Sequence, residues 1–361
     1  KAVRVDDERV DLSLPAEATC WFNQTQNYGC EETVAESCRA AELKKLVKGD
    51  SRVYLPFVYS VGGKTVAVTE SDVFDYPILN FQPKADDDAV VLSSDFARWP
   101  KVKFRKGGWG NEPDLATGGR WIKVRSTEDY LLKTAGTRTL PWRAFILADR
   151  PSELPTADLV IALARPQIAG DDFAWVKPGK VAWDWWNCFD NKGDPAGCTT
   201  ATYERFIDFA ARNGVEYVIL DEGWSESLNI WKFHPNVDVP RLIEYARKKG
   251  VGIILWMAWA QIAGEEEKVA AHFAKLGAKG FKVDFMDRGD AEVERFLWKF
   301  AEACRKNRML LDYHGAHRPT GMSRAYPNIL NYEGIHGLEQ MKFFWGQDIL
   351  ANDVRACYLR M

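Results

Sequence analysis

From residue 178 onward the sequence repeats one unit: a short apolar run that ends in a polar residue, a loop, and a stretch with helical spacing. The spacing predicts strands over 181–186, 217–220, 252–259, 281–285 and 309–313, with a sixth beginning over 329–332. Helical periodicity falls between them, over 202–213, 239–249, 265–276 and 291–306. The first three helical stretches stop at Gly214, Gly250 and Gly277, residues that accept the left-handed conformation of a helix C-terminus. Strand and helix alternating at this spacing imply a parallel sheet joined by crossover helices. A doubly wound sheet gathers its chemistry at one switch point, whereas here polar groups close almost every strand: Asp184, Asp221-Glu222, Asp284, His314 and Glu333. The pattern points to a (β/α)8 barrel with its site on the C-terminal rim. Only six strands fit, with a seventh expected to start near Val354, so the barrel is read as incomplete.

Before residue 170 the style differs. Short β-rich runs over 52–58, 65–69, 89–92, 120–124 and 143–147 are separated by Gly62-Gly63, Gly107-Gly108 and Gly118-Gly119, an antiparallel sandwich pattern. Residues 30–48 look helical or irregular. The fold class expected is therefore α/β with a β domain: residues 1–170 form part of an antiparallel β domain, and 171–361 an incomplete TIM barrel. The chain opens on Lys1, and 356–361 reads like the start of an apolar strand, so both ends are read as cut.

A length of 361 residues suits two domains, and a hydrophobic fraction of 46% supplies two cores. A net charge of −3 gives no reason to expect nucleic acid or an anionic membrane as partner. The apolar run over 253–259 is far short of the roughly 20 residues that span a bilayer. No GxGxxG follows a strand, and there is no P-loop, HExxH or GxSxG, which disfavours dinucleotide chemistry, phosphoryl transfer and serine hydrolysis. Among the 7 cysteines no CxxC pair occurs, which argues against zinc. Cys20, Cys30 and Cys38 cluster, as do Cys188 and Cys198; one or two disulfides or buried thiols both fit. The 15 Trp residues suit a sugar-binding cleft, although most such rings serve a core.

Glycosidic cleavage needs two carboxyl groups flanking the bond, and a barrel supplies them from different strand ends. Asp284 ends an apolar strand and is a candidate for one of them; its alternatives are a helix cap or an ion pair with Lys282. Glu333 and Glu339 share a loop containing Gly334 and Gly337, which suits an acid plus a metal ligand, or a solvated turn. Asp221 and Glu222 could bind sugar hydroxyls or brace Trp224. His314 and Arg318 follow the fifth strand as candidate sugar ligands; a lone His is more often structural.

Taken in order, Leu140-Pro141-Trp142-Arg143, Pro178-Gly179-Lys180, Trp183-Asp184-Trp185-Trp186, the stretch from Phe206 to Ala210, Asp221-Glu222-Gly223-Trp224, 281–287, 314–321 and 326–339 resemble glycoside hydrolase family 97. The resemblance implies an N-terminal β-supersandwich, here partial, before the barrel. It also implies a retaining α-glycosidase of the galactosidase branch, with Asp284 as nucleophile and Glu339 as general acid/base. In the family's inverting branch the base glutamates follow the third and fifth strands, where this chain has Ala258 and Gly315. The resemblance further implies Ca2+ held by Glu333 together with Glu31 or its neighbour Glu32; Glu339 is read as touching the metal as well, and Asp221, Glu222, His314 and Arg318 stand, from their strand-end positions, as the substrate-binding residues. An oligosaccharide substrate, α-galactoside before α-glucoside, and a periplasmic or secreted location complete the expectation. A non-catalytic sugar-binding protein is the rival reading.

Overall fold

The computed structural model describes residues 1–29, 32–85, 90–107, 114–115, 119–193, 196–226, 229–343, 346 and 348–360. Among them the N-terminal half is antiparallel β-structure. Its main sheet runs in the order Trp142–Ala148, Lys64–Ser71, Arg52–Val61, Asn80–Ala85, Val90–Asp95 and Asp11–Leu14. Thr19–Thr25 pairs with both Arg52–Val61 and Glu36–Arg39. Phe22, Tyr54, Phe57, Tyr76 and Phe81 fill the core beneath this sheet. Pro100–Lys106 and Trp121–Thr127 form a smaller antiparallel pair that reaches toward the second half.

The second half is a parallel sheet of six strands in sequence order: β1 (Val181–Trp183), β2 (Tyr217–Leu220), β3 (Gly252–Ala258), β4 (Gly280–Asp284), β5 (Leu310–Tyr313) and β6 (Ile329–Tyr332). Helices α1 (Thr200–Asn213), α2 (Val239–Lys248), α3 (Glu266–Leu276) and α4 (Ala291–Lys306) cross between them. Local chemistry sets their ends. Thr199 accepts from the Thr202 N–H and Asp290 from those of Glu292 and Val293, satisfying donors at helix starts. Gly214 closes α1 at φ 61°, a conformation costly for a residue with a Cβ. Every residue of β3 is buried, as expected of a strand covered on both faces.

The C-terminal segment departs from the expected strand. Ile349–Ala356 is a helix, α5, capped by the Asp348 side chain, which accepts from the Ala351 N–H at 2.9 Å. Ile349, Asn352 and Ala356 are its buried residues, a helical spacing that outweighs the apolar look of the residues that follow. Asn352 donates to the His336 carbonyl at 2.9 Å and accepts from the Ala35 N–H at 2.8 Å, tying α5 to both halves. Within 30–48 the described residues hold the strand Glu36–Arg39 and a short helical stretch, Leu43–Leu46. A hairpin of Ser225–Glu226 with Asn229–Phe233, which periodicity did not reveal, follows β2. Cys20, Cys38, Cys188, Cys198, Cys304 and Cys357 are free thiols, and Cys30 lies outside the described residues. No helix among the described residues is long and apolar enough to cross a membrane.

Candidate active site

The strand ends of the parallel sheet bring the acidic groups to one rim. Lys282 and Asp284 stand two residues apart on β4 and so point to the same face. The Lys282 ammonium, almost fully buried, lies 3.0 Å from Asp221 Oδ2 and 3.3 Å from Asp284 Oδ2. Burial opposes its charge, but the Asp221 and Asp284 carboxylates outweigh burial and hold it cationic. Asp284 also accepts from Trp256 Nε1 at 3.0 Å and from the Phe285 N–H at 2.7 Å. These donors fix the carboxylate at the end of β4. Just beyond it, Phe285 and Asp287 adopt φ of 65° and 45°, sparsely populated for side-chain-bearing residues. The Asp287 carboxyl is pushed up by burial, partly countered by Lys123 and by Trp121 Nε1 at 2.9 Å.

Asp221 is a second collecting point. Its Oδ2 accepts from Trp183 Nε1 at 2.6 Å as well as from Lys282, and its Oδ1 from the Glu222 N–H at 2.8 Å. Glu222 receives Arg120 of the antiparallel half through two nitrogens, at 2.6 and 3.1 Å, so its carboxylate braces the two halves. Beneath them Asp184 is buried, accepts from the Tyr203 hydroxyl at 2.7 Å, and has its carboxyl pushed up to about 7 by burial and the Asp221 charge.

His314 sits between Asp312, 3.1 Å from its Nε2, and Glu333, 3.0 Å from its Nδ1. Burial disfavours the imidazolium, but the flanking carboxylates win and keep it protonated. Burial would raise Glu333; His314, Lys282 and the Gly315 N–H outweigh it and hold Glu333 down at about 2. Glu339 follows on a short 3-10 helix, Leu338–Lys342, where its Oε1 accepts from Trp185 Nε1 at 2.6 Å. Its carboxyl is raised by burial and by the Glu333 and Asp284 charges, against the pull of Trp185. Exposed aromatic surface lies alongside: Trp186 stacks on Trp183, and Phe343 on Trp185, both at 6.1 Å between centroids.

From the antiparallel half Glu32 reaches the same rim. Its side chain stays open to solvent, yet the cleft walls and then the charges of Glu333, Asp284, Asp287 and Glu339 push its carboxyl up to about 9. Glu31 lies outside the described residues. Glu32, Glu333 and Glu339 offer oxygen donors only and crowd like charge onto one another, the chemistry of a hard-cation site. Even so, no three His, Cys, Asp or Glu side chains among the described residues converge tightly enough to hold an ion.

One expected sugar ligand moves out of the cleft. Arg318 has no exposed surface and points to Glu70 of the antiparallel half and to the Leu79 carbonyl at 3.3 Å, because a buried guanidinium takes a buried carboxylate when one is in reach. His314 and the Asp221 carboxylate keep their places on the rim with protein partners in hand. Sequence reasoning named Lys282 only as a partner for Asp284, and missed Asp312, Trp183, Trp185 and Trp256 as donors or bridges. The Lys-x-Asp spacing on a strand was the signal available for Lys282; the indoles gave none. A cavity of about 900 Å3 is lined by Val181, Trp186, Phe209, His314 and Asn331 among others, with Lys282 and Asp312 in its wall.

Comparison with known proteins adds the following. The family description "Glycoside hydrolase 97" matches residues 183–335, and "Glycosyl-hydrolase 97 N-terminal" matches residues 1–166. A retaining alpha-galactosidase of Bacteroides thetaiotaomicron is 42% identical over 307 residues, 84% of this chain and 44% of that protein. A probable retaining alpha-galactosidase of Streptomyces bingchenggensis is 29% identical over 219 residues, 59% of this chain and 34% of that protein. The chain thus spans less than half the length of these relatives. Among solved structures, a family 97 enzyme of Pseudoalteromonas sp. strain K8 in complex with acarbose superposes with a TM-score of 0.76 over 95% of this chain and 52% of that one, at 19% identity, a likeness of fold. With both of its halves matched by the family's two descriptions, this chain belongs to glycoside hydrolase family 97.

Proposed function

We propose that this chain carries the catalytic carboxyls of a retaining glycoside hydrolase that removes terminal α-linked sugars, α-galactosides foremost. The observation that carries the reading is the pairing, on one rim, of a donor-held carboxylate at the end of β4 with a carboxyl raised toward the protonated form on the short 3-10 helix after β6. Asp284 attacks the anomeric carbon while Glu339 protonates the leaving oxygen, and a glycosyl ester forms as the glycosidic bond breaks. Glu339, now ionised, takes a proton from water, which attacks the anomeric carbon; the bond from that carbon to Asp284 breaks, the sugar leaves with its α configuration, and the Asp284 carboxylate and the Glu339 acid are both restored. Lys282 stays beside the Asp284 oxygen throughout and offsets the charge that returns to it. The galactoside preference is supported by the 42% identical relative's being a retaining alpha-galactosidase.

Ca2+ belongs to the same proposal. Glu333 and Glu339, with Glu31 or Glu32 from the antiparallel half, would hold it, and when bound it would supply a fixed positive charge that orients sugar hydroxyls. The architecture proposed is a (β/α)8 barrel behind a partial β-supersandwich. Its support is the pair of edges, β1 and β6, that find no partner strand among the described residues, and the exposed apolar Val181, Phe209 and Leu330. An extracytoplasmic location, periplasmic or secreted, rests on the family alone. The test is hydrolysis of nitrophenyl α-galactoside and α-glucoside by the full protein, with product configuration followed by NMR. α-Galactose as first product supports the reading; a β-configured first product, or no hydrolysis of either, overturns it.

A further inference from the structure

The segment 314–318 does two jobs at the rim, and neither uses the side chain of Arg318. The His314 N–H donates to the Val283 carbonyl at 2.7 Å, and the Gly315 carbonyl accepts from the Asp287 N–H at 2.8 Å, so the segment is laced to both sides of Asp284. The Gly315 N–H donates to Glu333 at 3.2 Å, and His314 holds the same carboxylate. Gly315 also touches the nucleophile's neighbourhood directly: at φ 50°, a Cβ there would stand 3.0 Å from Asp284 Oδ1 and 2.7 Å from the Phe285 nitrogen. A shift of this segment therefore moves Asp284 and Glu333 together.

What fixes the far end of the segment is in the other half of the molecule. Arg318 and Glu70 are both fully buried and paired. Glu70, on the strand Lys64–Ser71, is itself held by the Leu79 N–H at 3.1 and 3.2 Å and by Arg143. The Arg318 N–H donates to the Tyr54 hydroxyl at 3.1 Å, and the guanidinium lies 4.7 Å from the Tyr54 ring centroid. The Arg318 Nε and Nη1 find no partner among the described residues, so Glu70 is the only carboxylate in contact with it there. A charge pair this deeply buried is poor value for stability alone, since apolar residues of similar volume do as well or better.

We propose that Arg318 is a positioning residue: locked to Glu70, it lets the antiparallel domain set the height of segment 314–318 against Asp284 and Glu333. The proposal rests on the reading of Asp284 as nucleophile. It is tested in the full protein with the double variant Glu70→Gln/Arg318→Met, which removes both charges, keeps the volume and keeps an acceptor for the Leu79 N–H while Arg143 retains Glu8, and with Arg318→Lys, which keeps the charge on a shorter, non-planar head. Thermal unfolding reports the fold; kcat and KM on the aryl α-glycoside cleaved fastest report the site. The expected result is a folded double variant with kcat lower by about 100-fold and KM changed less than about 3-fold, since misplacement near 1 Å costs on that order. A folded double variant with kcat within about 3-fold of the parent overturns the proposal. Should the double variant not fold, Arg318→Lys decides: reduced kcat at unchanged unfolding temperature supports the positioning role, and unchanged kcat overturns it. Asp284→Gly assayed alongside separates the two claims. If that variant stays active the nucleophile reading fails, whereas an active, folded double variant removes the positioning role alone.

Discussion

Asp284 accepts from an indole, a buried ammonium and a backbone N–H, whereas Glu339 accepts from one indole and feels two neighbouring carboxylates. The first carboxyl ends a strand and is surrounded by these three donors. The second rides on the short 3-10 helix Leu338–Lys342, and burial and like charge favour its neutral form. The contrast teaches how one rim offers two environments to one functional group, a carboxylate held by three donors and a carboxyl raised toward its neutral form, as the proposed nucleophile and the proposed acid require. Lys282, buried, stands 3.3 Å from Asp284, and at Glu339 its charge opposes a rise that burial and the carboxylate neighbours win.

The largest effects follow from breaking the pair one member at a time. Asp284→Gly is expected to lower kcat at least about a thousandfold with the fold intact, because the attacking atom is gone. Azide should enter the vacated face and yield a β-glycosyl azide, identified by NMR. Glu339→Ala should lower kcat by about 10² to 10⁴ on substrates with poor leaving groups and far less on activated aryl glycosides. There azide should intercept the glycosyl ester instead and give the α-glycosyl azide. Two azides of the same configuration, or unchanged activity of either variant, would show that the roles are not divided as described.

A smaller effect tests the space the nucleophile needs. Gly315→Ala places a methyl group 3.0 Å from Asp284 Oδ1 in a left-handed backbone conformation. A loss of about 100-fold in kcat is expected, with the unfolding temperature lowered only modestly. Full activity would mean that the carboxylate has more freedom than its donors imply. Removal of Ca2+ comes next in size. Chelator-treated protein, with metal content measured, should lose activity that calcium alone restores; full activity without bound calcium would take the ion out of the site.

Much of this rim could be read from the chain, and the reason is geometric. Strand ends of a parallel sheet lie on one side, so Asp184, Asp221, Asp284, His314 and Glu333 could be placed together from spacing alone. The Lys282-Val283-Asp284 register likewise implied one face. Contacts made across the two halves were not legible. Arg318 looked like a rim residue because it follows β5, and its partner Glu70 lies in another domain at a separation no local pattern encodes. Glu222 finding Arg120 is the same case. The helix α5 was missed for a different reason: its buried positions are few, and the apolar residues after Ala356 masked the signal of Asp348 as a cap.

The last effect is on stability and not on kcat: it concerns Asp184, beneath the rim, and it sharpens the comparison by adding a third carboxyl whose environment is set by burial. Its folded-state value of about 7 stands above the ordinary one of 3.8, through burial first and the Asp221 charge second. A carboxyl raised on folding contributes its stability below the unfolded value and loses it as pH rises through the folded one. The native protein therefore keeps a proton that the unfolded chain releases between pH 4 and 7, and stability should fall across that window by about 1.4 kcal/mol per pH unit from this group. Asp184→Asn keeps an acceptor for the Asp221 N–H and a partner for the Tyr203 hydroxyl, but cannot ionise. Denaturant unfolding of parent and variant from pH 4 to 8 should show the two curves diverging as pH rises, with the variant holding its stability better. Parallel curves would mean that Asp184 ionises freely in the folded state and that the pairing with Tyr203 and Asp221 compensates its burial.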